Sequence, residues 1–170
     1  NRTKIVNCCG FDSIPSDMGC LVLQEHAIAN HQAPADEVTL YVMGSKGGLS
    51  GGTLASMIGM MDQAKHDKSI RKALFDPYAL NPEGQREGPD GRDQTEAIWA
   101  EDIQKWTAPF IMAGINTRVV RRSNALQAFK YGKDFRYHET MAIQNGLKGR
   151  FRAEIFRLGL GIMMGFIAWQ

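Results

Sequence analysis

The feature that most constrains this chain is a short apolar run that ends at a glycine and leads into a polar turn. Residues 5–9 are mostly apolar, a glycine follows, and the next seven residues carry two acids and two serines. Pro15 fits a first helical turn because its missing N–H would be unpaired there, and Ser16 and Asp17 can accept from free first-turn N–H groups. The pattern predicts a strand, a loop and a helix over residues 15–30.

The polar loop between this strand and this helix is a candidate ligand site. In open α/β sheets, ligands bind in the crevice beyond the carboxyl ends of the strands. Asp12, Ser13 and Asp17 supply more carboxylate and hydroxyl chemistry than a turn needs. The alternative is that these side chains, together with Ser16, serve only in turn formation and helix capping.

Residues 10–19 read GFDSIPSDMG. This stretch resembles the GFDSIPxDxG signature of saccharopine dehydrogenase-like oxidoreductases, a family that includes bacterial trans-acting enoyl reductases. Two shorter blocks are similar to the same family at about the expected distances. The first is the Gly-Gly-Thr at residues 51–53 with Ser56, and the second is Pro-Phe at residues 109–110 followed by VVRRS at residues 119–123.

The resemblance implies a nicotinamide-dependent oxidoreductase, using NADP or NAD, whose Rossmann domain holds most of the cofactor. This sequence has no G-x-G-x-x-G loop, because the glycine run at residues 47–52 fails that spacing, and Thr53 stands where a Walker loop needs lysine. We therefore expect residues 1–30 to end a nucleotide-binding domain and residues 31–170 to form an α+β substrate and dimerisation domain. Alone, this piece is expected to be inactive.

The resemblance also implies three groups of site residues. The catalytic group is Asp12, Ser13 and Asp17. The cofactor-binding group is Gly10, Phe11 and Asp12. The substrate-binding group is Thr53, Arg121 and Arg122. Guanidinium forks suit a phosphate or a carboxylate, but a solvated basic face, or pairing with Asp or Glu, stays open for both arginines. The expected reaction is hydride transfer to a small or lipid-like substrate; the alternative is a non-catalytic dimerisation or membrane-associated interaction domain.

Hydrophobic periodicity predicts an α/β or α+β fold with a mixed sheet and flanking helices. Met18, Leu21, Val22 and Ile28 are expected to form the buried face of the first helix. Helices are expected at residues 15–30, 53–74, 117–131 and 148–168, with Thr53 capping the second and Asn116 or Thr117 capping the third. Strands are expected at residues 37–43 and 135–143, residues 98–106 are ambiguous between helix and strand, and residues 76–93 are expected to form a long loop.

Two features within these elements suggest chemistry. Glu139 falls on the apolar face of the strand at residues 135–143, so its carboxyl is expected to be paired, raised in pKa or at the rim of a cleft. Residues 85–92 have almost nothing to bury, which favours a mobile segment, and residues 84–92 are the segment of a hypothetical lid.

The cysteine spacing and the net charge argue against a metal-binding protein and against a nucleic-acid-binding protein. The three cysteines, Cys8, Cys9 and Cys20, lack metal-ligand spacing, so we predict no metal site and interpret the thiols as core residues of a cytoplasmic protein. A formal net charge of +2 is too small to argue for nucleic acid.

The end of the chain has the pattern of an amphipathic segment. Residues 158–169 carry no charge, and twelve residues are short for a membrane span. Basic residues precede them, so the segment 150–170 fits either a helix lying on a membrane surface or an oligomer interface, such as that of a homodimer. A third alternative is packing on residues beyond the chain.

Overall fold

The computed structural model describes residues 3–4, 7–10, 13–44 and 51–169. In these ranges five helices flank a four-stranded mixed sheet, which confirms the predicted fold class. The elements in chain order are α1 Ile14–His31, β1 Glu37–Val42, α2 Gly51–His66, α3 Lys68–Phe75, β2 Ile98–Ala100, β3 Lys105–Pro109, α4 Ala113–Leu126, β4 Arg136–Ala142 and α5 Gly146–Trp169.

Four predicted elements are confirmed to within two residues at either end. They are the helices at residues 15–30 and 148–168 and the strands at residues 37–43 and 135–143. Pro15 lies in the first turn of α1, where its missing N–H costs no hydrogen bond.

The sheet has the strand order β1-β4-β3-β2. The ambiguous residues 98–106 form an antiparallel hairpin of β2 and β3, in which Trp99 lies opposite Trp106. The two half-buried indole rings meet edge to face, with their centroids 5.7 Å apart. β3 also pairs antiparallel with β4, and there Thr107 lies opposite Ala142.

The chain divides into two compact units. The first comprises residues 1–40, 77–93 and 112–139, and the second comprises residues 41–76, 94–111 and 140–170. The predicted domain boundary at residue 30 stays a prediction.

In the first unit, α1 packs against α4. The predicted apolar face of α1 is wrong for Met18 and Val22, which are 47% and 66% exposed, whereas Leu21 is half-buried against the core. The residues that α1 buries are Ser16, Cys20 and Gln24, spaced four apart, and the Gln24 amide bonds both the N–H and the C=O of Ala35. The apolar core beside this polar face consists of Cys20, Val38, Val120, Tyr131, Phe135 and Tyr137.

In the second unit, the predicted helix over residues 53–74 is two helices. The chain breaks at Asp67, whose carboxylate caps α3 by accepting from the N–H of Ser69 at 2.7 Å. The prediction that Thr53 caps the first of them is wrong, because α2 already includes Gly51.

The predicted start and end of α4 are also wrong. The helix begins one turn earlier than expected, so neither Asn116 nor Thr117 caps it. The Thr117 hydroxyl instead donates to the carbonyl one turn earlier, at 2.7 Å. The helix ends at Leu126 rather than near residue 131, because Ala128 and the following residue adopt positive φ angles.

α5 packs on β3 and on α2, and a glycine in its first turns permits a close approach to the segment that leads into the helix. A Cβ on Gly149 would lie 1.9 Å from the backbone oxygen of Gln144, whereas a Cβ on Gly159, ten residues along, would meet nothing within 4 Å. The first glycine is therefore required by packing and the second is not.

Gly149→Ala is expected to lower the free energy of unfolding by about 1–3 kcal/mol, because backbone must move to admit the methyl group. Gly159→Ala is the matched control and is expected to raise it by up to about 1 kcal/mol through helix propensity. Urea unfolding of both variants checks this prediction, and equal effects at the two glycines would contradict it.

Candidate functional site

The signature stretch turns tightly before α1. The N–H groups of Ser13 and Ile14 both donate to the carbonyl of Gly10, at 3.2 and 3.0 Å. Phe11 and Asp12, predicted to contact cofactor and substrate, lie outside the described residues. Ser13 precedes the helix, but its side chain makes no capping hydrogen bond.

The Ser13 hydroxyl points instead to a distant part of the sequence. It donates to Oδ1 of Asn116 on α4 at 3.0 Å, across 103 residues of sequence. The Nδ2 of Asn116 in turn donates to Oε2 of Glu139 on β4 at 3.0 Å. The alternative that the serines and acids of the signature serve only in turns and caps is therefore wrong for Ser13.

A buried polar cluster surrounds the Glu139 carboxyl, and we call it the Glu139 cluster. The Tyr137 hydroxyl donates to Oε1 of Glu139 at 2.9 Å, and Ser16 also hydrogen-bonds in this group. Every member is at most 4% exposed. The members of the cluster are Ser13, Ser16, Asn116, Tyr137 and Glu139.

Burial raises the pKa of the Glu139 carboxyl, and hydrogen bonds from Ser16, Asn116 and Tyr137 offset part of that rise. The negative charge of Asp93 raises it further. The sequence left three alternatives open for a carboxyl on an apolar strand face, and a raised pKa is the one that the structure supports. Ser16, Asn116 and Tyr137 therefore hydrogen-bond to a carboxyl group whose protonated form is favoured by its burial.

Stability should therefore depend on pH through Glu139. A raised pKa in the folded state means that the stabilising contribution is complete below the ordinary range of a glutamate, about 4.3, and is lost as pH rises through the raised value. The Glu139→Gln variant has no carboxyl to ionise at this position. We therefore expect its free energy of unfolding, relative to that of the wild type, to increase between pH 4 and 7 by about the amount that the titration of a single group produces. Chemical unfolding at a series of pH values measures this, and a constant difference would contradict it.

Asp17 is tied to α4 as well. Its Oδ2 accepts from the Ser123 hydroxyl at 2.8 Å, across 106 residues of sequence. Burial raises the pKa of Asp17, and the bond from Ser123 lowers it in part. Asp17 is half-buried. Its carboxyl is therefore in contact with solvent and is also more readily protonated than that of an exposed aspartate.

The cysteines differ in their surroundings. Burial, with the nearby charge of Asp17, raises the pKa of Cys20 to about 12, so this thiol stays protonated and inert in the core. Cys8 and Cys9 are exposed. The interpretation as core residues is therefore right for Cys20 and wrong for the other two.

A second buried polar group lies on the next turn of α4 around Arg121. Its Nε donates to Oδ2 of Asp90 at 2.6 Å, and its Nη1 and Nη2 donate to the carbonyls of Pro77 and Tyr137, both at 3.1 Å. The side chains of the ion pair are 3% and 0% exposed. Tyr78 lies under the guanidinium, with its ring centroid 5.5 Å from Cζ. Pairing with an acid, the alternative left open by the sequence, is what the structure shows for Arg121.

This ion pair fastens the long loop at residues 76–93, which the structure confirms as free of helix and strand in its full length. The expectation that residues 85–92 have almost nothing to bury is wrong at Asp90, whose side chain is buried. Arg118 and Asp93 form a further ion pair at 2.9 Å at the end of the loop. The lid remains a hypothesis for the exposed residues of that segment.

The structure brings five of the predicted site residues that it describes into one unit: Gly10, Ser13, Asp17, Arg121 and Arg122. Ser13 and Asp17 on the signature side bond to α4, which also carries Arg121 and Arg122. Arg122 is exposed, and its Nη1 donates to the carbonyl of Leu80. Thr53 belongs to the other unit. The roles assigned to all of these residues stay predictions.

Sequence reasoning missed Asn116, Tyr137 and Asp90. The signal for the first two was Glu139, since a carboxyl on an apolar face requires donors from neighbouring elements. Among the described residues, no group of three or more His, Cys, Asp or Glu side chains could hold a metal ion.

Comparison with known proteins adds relatives from mycobacteria. The chain is 42% identical over 146 residues to a Mycobacterium tuberculosis protein provisionally named a trans-acting enoyl reductase, and 36% identical over 151 residues to the trans-acting enoyl reductase of Mycobacterium bovis. That of Mycobacterium ulcerans is 38% identical over 151 residues.

The chain is similar to part of the trans-acting enoyl reductases. Each of these alignments covers 82% of the chain, and the chain spans 35% of the length of the curated relatives it matches. No family model and no solved structure matches the chain. Grouping the trans-acting enoyl reductases and this chain with the saccharopine dehydrogenase-like enzymes stays a prediction.

Proposed function

We propose that the full-length protein is an enoyl reductase that uses NADP or NAD to reduce the carbon–carbon double bond of a small or lipid-like enoyl substrate. The observation that carries the proposal is the 42% identity over 146 residues to a protein provisionally named as such an enzyme. The hydrogen bonds that tie the signature stretch to α4 and β4 support it, because a reacting loop must be held in place.

The residues of this chain are a poor fit for the phosphates of such a cofactor. The sequence lacks the glycine fingerprint that receives a pyrophosphate. At the start of α1, Pro15 has no N–H and the N–H groups of Ser13 and Ile14 are engaged by Gly10. The proposal therefore assigns the phosphates to the remainder of the longer protein and the nicotinamide end to the loop at residues 10–12.

When bound, a reduced nicotinamide supplies the hydride that adds to one carbon of the double bond. The other carbon needs a proton, and we assign its delivery to Asp17, since burial raises its pKa while the residue remains partly exposed. Asn116 and Glu139 are positioning residues, because they act on the loop through the Ser13 hydroxyl.

The test is isotope transfer by the full-length protein. NADPH or NADH carrying deuterium at the reactive carbon is incubated with enoyl thioesters of several chain lengths, and the product is analysed by mass spectrometry. We expect one deuterium in the saturated product, together with oxidation of the cofactor. Binding of neither cofactor, or a saturated product without the label, would contradict the proposal.

A second candidate function is a non-catalytic interaction domain, and the exposed apolar face of α5 favours it. The two candidates differ in the same experiment, because an interaction domain would bind no cofactor and transfer no label. Homodimer formation stays a prediction under either function.

A further inference from the structure

α5 carries an unusually apolar exposed face. Seven large apolar side chains, each more than half exposed, recur along the helix at intervals of four or three residues. At 100° per residue this spacing places them on one side of the helix. The residues of this apolar face are Leu147, Phe151, Ile155, Leu158, Ile162, Phe166 and Trp169.

The opposite side of α5 does the packing within its own unit. Gly149 and Ala153 are buried there, and Arg157 is half-buried in ion pairs with Glu154 and Glu96. Both buried residues and the ion pairs of Arg157 therefore lie on the side of α5 away from the apolar face. At 1.5 Å per residue, the apolar face extends about 33 Å along the helix. It is a continuous patch, whereas ordinary protein surfaces expose large apolar side chains singly.

Charge is distributed unevenly along the same helix. Four basic residues and one acidic residue lie in its first half, and residues 158–169 carry no charge. Lys148 and Arg152 are exposed and, by helical geometry, project beside the apolar face. Arg150 lies over the ring of Trp106 at 5.4 Å.

We propose that α5 lies on the surface of an anionic lipid membrane, with its apolar face at the boundary between headgroups and acyl chains. Such surfaces attract Lys and Arg beside an apolar helix face, and Trp and Phe favour that depth. Among the described residues, no helix has the length and apolar character needed to cross a bilayer.

Charge decides against a second copy of this chain as the occupant. A parallel pair of α5 helices would set Lys148 and Arg152 against the same two residues. An antiparallel pair would set them beside residues 158–169, which offer no acid. Anionic headgroups provide the complement that either pairing lacks.

The test is co-sedimentation of the full-length protein with vesicles of phosphatidylcholine alone or mixed with phosphatidylglycerol. We expect binding to the mixed vesicles, weakened at about 0.5 M salt because screening removes the charge attraction. Phe151→Asp with Ile162→Asp should lower partitioning at least about tenfold. Lys148→Glu with Arg152→Glu should lower it at least about fivefold for each charge removed.

Leu126→Asp, at a 62% exposed position on α4, is the matched control and should bind like the wild type. Circular dichroism of all variants checks that the helices persist. Equal binding to both kinds of vesicle, or equal loss in the control, would overturn the proposal. The absence of vesicle binding would also overturn it. In that case the apolar face is covered either by a second copy, in a dimer that Phe151→Asp dissociates, or by the rest of the longer protein in a monomer.

Discussion

Arg121→Met is expected to lower the free energy of unfolding by about 3–5 kcal/mol, the cost of leaving a buried charge without its partner. The substitution leaves the Asp90 carboxylate without its ion-pair partner, and its other oxygen has no hydrogen-bond partner among the described residues. It also removes the donors to the carbonyls of Pro77 and Tyr137, which hold the long loop to β4. Chemical unfolding of the full-length protein, with hydrogen exchange of the α4 amides, measures the effect.

Arg122→Met is the matched control, because the same change is made one residue along at an exposed position. Its effect should stay within about 0.5 kcal/mol. Combining Arg121→Met with Asp90→Leu should cost less than the sum of the two single changes, since neither partner is then left charged and buried. Similar costs for Arg121→Met and Arg122→Met would show that the ion pair does not hold the loop.

Asn116→Leu is expected to lower kcat for enoyl reduction by about a hundredfold, with a smaller change in KM. The substitution keeps the approximate volume and removes both hydrogen bonds that link the signature stretch to Glu139. A loop displaced by about 1 Å costs a factor of this size when it positions reacting groups. Steady-state kinetics of the full-length protein with an enoyl thioester measures the two constants separately.

Asn124→Leu makes the same change two turns further along α4. Asn124 is also buried and bonds the backbone of Tyr131 and Gly132, away from the signature stretch. It should lower stability and leave kcat within about threefold of the wild type, since no reacting group depends on it. An equal loss of kcat in both variants would mean that the Glu139 cluster is purely structural.

Helix α1 shows what the sequence could and could not predict. Its bounds followed from local chemistry, because Pro15 marks a first turn whatever the helix packs against. Its buried face did not, because hydrophobic periodicity assumes an apolar interior. Beside Cys20, α1 buries two polar residues: Ser16 hydrogen-bonds to Glu139, and Gln24 hydrogen-bonds to the backbone of Ala35.

The two buried ionisable groups had partners that the sequence did not reveal. Glu139 was identified as anomalous on its strand face, but Ser13 is linked to it through Asn116, more than a hundred residues along the chain. Arg121 was identified as a candidate site residue, yet its partner Asp90 lies in a loop that composition alone predicts to be solvated. Local patterns identify residues that need partners, and tertiary packing decides which partners they find.

The most direct test of the account is a double-mutant cycle on the rate of enoyl reduction by the full-length protein. It compares Ser13→Ala, Asn116→Leu and the double variant with the wild type. If the hydroxyl acts through Asn116, each single change lowers kcat and the double variant is no slower than Asn116→Leu alone. Losses that simply multiply, or an unchanged kcat in Ser13→Ala, would contradict the claim that the buried cluster positions the signature loop for catalysis.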